Sequence, residues 1–366
     1  MKTIPVILLM LIGMTSMATI RTVNNRGGAQ FTSLQTALDA ATAGDTIYVF
    51  GSVVSYGDVT VRKRLILIGA GYKPINQQNM PSTIGTLSLF RDTGSSDASG
   101  SVITGFSISN LYGYLSTSGL AVNNVRIFRN SIRSMNSAGN NSASSGWLVY
   151  NNILENFAGN YFSGSTRNIA IQNNIIRSFN NFTEPSVLVD HNLFWGSANL
   201  SQVLYVIFSN NIFMRSAGDI FSGTVNYCTF TNNLSTQSSI GAASSYSPAN
   251  NFVTTFLGTG GGANTGGGNL IGVDPQFQNV PNFDSPADTF NYRLRTTSPA
   301  RNAGSDGLDL GIYAGAYPFP SGGAPGSGFD TSATPPIPQV TEMNIQNATV
   351  NPNGNITVQI RATVNN

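Results

Sequence analysis

The chain has 366 residues, only 9% of them charged, and a formal net charge of +2. Lysine occurs only at positions 2, 63 and 73, so no basic field exists to hold a nucleic acid. A single cysteine, Cys228, excludes an intramolecular disulfide, while a hydrophobic content of 40% is ample for a core.

In chain order, residues 1–18 read as a signal peptide: Lys2, an apolar run from Ile4 to Ile12, and the small-x-small pattern Ser16 to Ala18. The run is too short to span a membrane. The expected location is therefore outside the cell, secreted or at the cell surface. Thr32 to Gln35 has the form of a capping box. Leu34, Ala37, Leu38 and Ala41 then line one face of a short helix. Such a helix would plug the open end of whatever follows. Strands are predicted at 46–50, 59–61, 65–68, 84–90 and 102–108 from their period-two apolar pattern.

From Val125 one phrase recurs six times. Counted at its last Asn, it falls at Asn130, Asn152, Asn174, Asn192, Asn211 and Asn233, in steps of 22, 22, 18, 19 and 22 residues, and Asn251 offers one more step of 18. Positions five and three before the Asn are apolar, as in Val125 and Ile127, Trp147 and Val149, or Ile169 and Ile171. Position two after it is apolar in the first five phrases. Asn tolerates left-handed dihedrals and bonds neighbouring backbone, so it suits a sharp corner between two strands. Strand, Asn corner, strand and loop every ~20 residues describe one coil of a parallel β-solenoid, in which each Asn can bond its equivalents in adjacent coils. Right-handed winding is the default for parallel crossovers.

After the repeats, the glycine-rich run 258–268 reads as a loop, since no Lys follows it to make a phosphate cradle. Residues 319–338, rich in Pro, Gly and Ser, read as a linker. Residues 339–366 read as a small β unit, too short for a core of its own and so expected to dock on the solenoid or on another molecule.

The hydrophobic-x-hydrophobic-x-Asn-Asn-x-hydrophobic coil resembles the right-handed parallel β-helix of the pectin-lyase-like superfamily. Phe31 to Val49 resembles the opening cap and first strand of secreted members. The segments 274–277, 292–294 and 298–311 resemble the closing segment of many bacterial ones. The resemblance covers roughly residues 22–318, within an expected β-helix domain of 19–318, and implies an all-β fold: a parallel β-helix with a short N-terminal capping helix. It leaves activity open, because the superfamily holds lyases, hydrolases, adhesins and inert scaffolds.

Candidate chemistry lies in columns. Three places after the corner come Arg133, Glu155, Arg177 and Trp195, which strand alternation turns outward as a stripe able to bind sugar or as a ladder of stacked ions. Tyr150, two places before its corner, joins them as a candidate contact. For catalysis the candidates are Asp190, His191 and Glu155. His191 is the sole histidine and stands where other phrases carry the first Asn of the pair, so a turn role competes with a catalytic one. A lyase would want several carboxylates converging on calcium, whereas Glu155, Glu184, Asp190 and Asp219 fall at different offsets. No other cofactor or metal is implied. A further column, directly after the corner, is apolar in five of six coils: Ser131, Ile153, Ile175, Leu193, Ile212 and Leu234. Leu148, Ala170, Leu188 and Ile207 form another, four places before the corner. Outward apolar columns predict a cover, unless the corner rotates them inward. The leading expectation is a non-catalytic scaffold binding polysaccharide or cell-surface glycan along one face. The alternatives are a polysaccharide lyase or hydrolase, and a purely structural surface protein.

Overall fold

The computed structural model describes residues 18–72, 80–113, 120–136, 145–159, 168–183, 185–216, 225–236, 264–285, 290–319, 338–346, 349–350 and 354–364. The signal-peptide stretch up to residue 17, Glu184, Asp219, Asn251 and nearly all of the linker lie outside them.

Two 11-stranded sheets, parallel throughout, form a β-solenoid. The upstream sheet carries the strand before each corner and runs from Ile20–Val23 to Thr265–Gly267. The downstream sheet carries the strand after it and runs from Val59–Val61 to Leu270–Ile271. Register follows the repeated phrase. In the upstream sheet Ile127, Val149, Ile171, Val189, Phe208 and Phe230 are successive partners. In the downstream sheet Ile132, Leu154, Ile176, Phe194 and Phe213 are. All of these are buried inside the solenoid. Toward its middle the interior becomes aromatic, with Phe194 stacked on Phe213 at 4.6 Å and Phe208 on Phe230 at 4.8 Å. Each fully buried side chain of this size stabilises the fold by roughly 1.5–3 kcal/mol. Cys228 belongs to this interior; burial pushes its thiol up to about 12, which leaves it an inert small apolar residue.

The corner divides its two tasks between two residues. The left-handed backbone belongs to the residue before the counted Asn: Arg129, Asn151, Asn173, His191, Asn210 and Asn232 have φ of 51–58°. In the preceding coil, which lacks an Asn corner, Gly105 takes the same place at φ 82°. The counted Asn is the buried ladder rung. Its Oδ1 accepts from both the backbone N–H and the Nδ2 of the Asn one coil earlier, from the Asn130–Asn152 pair to Asn211–Asn233. The ladder begins with the Phe106 N–H on Asn130 and passes from Asn233 to Asn269, 36 residues on.

The one helix among the described residues, Leu34–Ala40, buries Leu34, Ala37 and Leu38 against the first coils. Its N-cap is Ser33, whose hydroxyl accepts from the Thr36 N–H. The expected capping box does not form, because Gln35 is drawn away to the backbone of Thr60, with its Oε1 accepting at 2.8 Å. No helix among the described residues is long and apolar enough to cross a membrane.

At the C-terminal side, Phe277–Asn279 and Asn291–Leu294 pair antiparallel, and the chain then runs back over the solenoid to Phe319. Pro338–Ile345 and Val358–Val364 form a separate antiparallel hairpin. Met343 faces Ile360, and Ile345 faces Val358, yet all four are exposed. Of the two outcomes expected from its size, docking on the solenoid is not found among the described residues, and docking on another molecule stays an expectation.

Candidate functional site

The downstream sheet places the predicted outer column together. Ser134, Asn156 and Ser178 are register partners, so the preceding residues Arg133, Glu155 and Arg177 follow one another coil by coil, and all three are exposed. In the next coil the Arg177 guanidinium lies 5.5 Å from the centroid of the Trp195 ring, within cation–π range. Trp195 is half-buried against the closing segment, where the Gly196 N–H donates to the Phe283 carbonyl. Its indole Nε1 is buried without a hydrogen-bond partner among the described residues. Glu155 forms no ion pair with Arg133 or Arg177 among the described residues, so the column is not a ladder of contacting ions.

Asp190 and His191 sit at a corner of the other sheet. The His191 Nδ1 lies 3.0 Å from Asp190 Oδ2, and its Nε2 lies 3.5 Å from Asp306 Oδ2 on the closing segment. The ring is fully buried, and Gly315 packs so closely that a Cβ there would come within 2.7 Å of Nδ1. Asp190 also accepts from Ser209 Oγ at 2.8 Å and Asn210 Nδ2 at 2.9 Å. Burial pushes its carboxyl upward. The His191 hydrogen bond and charge, with the Ser209 and Asn210 bonds, outweigh that and hold it below the usual carboxylate range. The pair is thus a polar pin beneath the closing segment, with His191 fully buried and Asp190 mostly covered. Glu155, the third catalytic candidate, is on the opposite side of the corner, exposed on the downstream sheet.

Tyr150 does not face open solvent. Its ring stacks on Phe128 at 4.7 Å and meets Tyr317 of the closing segment at 4.4 Å, while its hydroxyl accepts from Arg126 Nη2 at 3.3 Å. Tyr317 therefore occupies the face a sugar ring would need. Asn151 and Asn173 anchor the same stretch, donating to Tyr317 O at 2.8 Å and Ile312 O at 3.0 Å.

The apolar column after the corner explains this arrangement. Ile175, Leu193, Ile212 and Leu234 form a second buried cluster, outside the solenoid, with Phe277, Tyr292, Ala300, Leu310, Ile312 and Phe319. The cover is the chain's own closing segment. Asp306, Gly315 and Tyr317 were not legible as partners of this corner, because they lie more than 100 residues downstream with no repeat to register them. Among the described residues no group of three or more His, Cys, Asp and Glu is placed to hold a metal.

Fold and site together define a parallel β-solenoid with a closing segment pinned across its corners. No family model matches the chain, and no curated protein is significantly similar to it.

Proposed function

We propose that this chain is a secreted β-helix scaffold that binds an acidic glycan along the Arg133, Glu155, Arg177 and Trp195 column without cleaving it. The observation that carries the proposal is the Arg177 guanidinium over the Trp195 indole on an otherwise exposed sheet face. A guanidinium bonds uronate carboxylates bidentately, and the indole beneath holds the Arg177 guanidinium in place to do so. The full burial of His191 under the closing segment, with Asp190 mostly covered beside it, supports binding over catalysis. The pectin-lyase-like resemblance of the repeated phrase adds to this reading, since that superfamily includes non-catalytic members.

Calorimetry with uronic-acid oligosaccharides tests the proposal, run beside an ultraviolet assay for unsaturated uronates with and without calcium. Trp195→Ala should weaken binding about tenfold. Glu155→Ala should strengthen it severalfold by removing the negative charge between two arginines. No heat with any variant would sink the glycan-binding reading and leave a purely structural protein. Release of unsaturated uronates, abolished in Asp190→Asn, would establish the lyase alternative instead.

A further inference from the structure

Where the closing segment crosses the corners, the second apolar cluster leaves a cavity of about 260 Å³. Leu193 and Ile212 of the solenoid and Phe277 and Tyr292 of the closing hairpin line its apolar part. Arg293 and Arg301 line it as well, both exposed, and neither forms an ion pair among the described residues. The Arg293 guanidinium lies 5.1 Å from the Tyr313 ring centroid, which holds it in place while leaving its charge uncompensated. The one acid in the lining, Asp309, has its Oδ1 engaged by the Asn302 N–H at 3.0 Å.

A cavity with an apolar floor and a few charged groups in its lining can hold a small molecule. At this volume the cavity falls just below the roughly 300–1,000 Å³ of drug-sized pockets. It has room for one six-membered ring with its substituents. Two guanidiniums against one carboxylate select an anion, and their planar forks match a carboxylate. We infer that this cavity binds a small carboxylate carried on a single six-membered ring, with Arg293 and Arg301 receiving the acid and Phe277 and Tyr292 forming the floor beneath. The site is separate from the Arg177 and Trp195 column, so its failure leaves the glycan proposal untouched.

Galacturonate and benzoate serve as probes of a sugar ring and an aromatic ring, with galactose and benzyl alcohol as their neutral counterparts. Calorimetry on the full chain should find one of the acids bound in the millimolar range or tighter, and its neutral counterpart about tenfold weaker or absent. Arg293→Gln and Arg301→Gln should each weaken the acid about tenfold, whereas Arg133→Gln, on the outer column, should change nothing. Both pocket arginines are exposed, so neither change disturbs the core. Absence of binding by both acids, equal binding of acid and neutral partner, or unchanged binding in the two variants would overturn the inference.

Discussion

Asn174→Ala tests the corner ladder at its middle. Asn174 Oδ1 accepts from the backbone N–H of Asn152 at 2.9 Å and from Asn152 Nδ2 at 3.0 Å. Its Nδ2 donates to Val149 O and Gln172 O, both at 2.9 Å, and to Asn192 Oδ1 at 3.0 Å. With alanine, the Asn192 Oδ1 keeps the backbone N–H of residue 174 at 2.8 Å, so that group stays paired. The Asn152 N–H, buried and with no other acceptor in the ladder, becomes an orphan, and two carbonyls each lose a donor. One orphaned N–H costs about 1–3 kcal/mol, and the carbonyl losses with the small void bring the expected total to ~2–4 kcal/mol. Urea unfolding followed by far-ultraviolet circular dichroism measures it, with exposed Arg133→Ala as the reference. A midpoint for Asn174→Ala equal to that reference would refute the account of the ladder as a stabilising network.

Three other outcomes are expected. The Asp190 carboxyl is held low in the folded protein, so its stabilisation is complete above about pH 4, the ordinary carboxylate value, and is lost as pH falls through the lowered one. Acid unfolding should accordingly begin at a lower stability, and with a shallower pH dependence, in Asp190→Asn; identical acid limbs would count against the pin. Gly315→Ala places a Cβ 2.7 Å from the His191 ring at a φ of +80°, and should loosen the closing segment. Faster hydrogen exchange over residues 310–319, with the strands around Ile171 unchanged, is the sign to look for. Tyr317→Ala should uncover the Tyr150 ring and raise its accessibility to nitration, which would stay unchanged if the 4.4 Å contact were not a lasting cover.

The solenoid was legible because its signal is repeated: an error in one phrase is corrected by the next five, and alternate positions such as Val149 and Leu154 point unambiguously inward. The corner was legible only in part. The Asn–Asn pair is visible, but which Asn takes the left-handed backbone depends on the direction in which each amide can reach along the stack, and period alone does not encode it. The apolar column at Leu193 and Ile212 announced that something covers it, and the cover proved to be the closing segment. Tyr150 and His191 looked like surface candidates for the same reason: alternation describes one coil and its neighbours, whereas what lies over them comes from residues 306–317, joined to them through no sequence pattern. Gln35 shows the opposite failure, a local motif overridden by a stronger partner in the adjoining coil.

The step from Asn233 to Asn269 has a consequence for how such a chain can change over generations. Rungs 18, 22 and 36 residues apart are joined by the same two bonds of 2.8–3.1 Å. The molecule therefore keeps its alignment by counting rungs, indifferent to the length of chain between them. An insertion placed between corners lengthens an excursion and shifts nothing above or below it, whereas the loss of a single rung residue puts every later coil at risk. Novelty in such a protein can accumulate at its margins, segment by segment, while the spine that carries it stays in step.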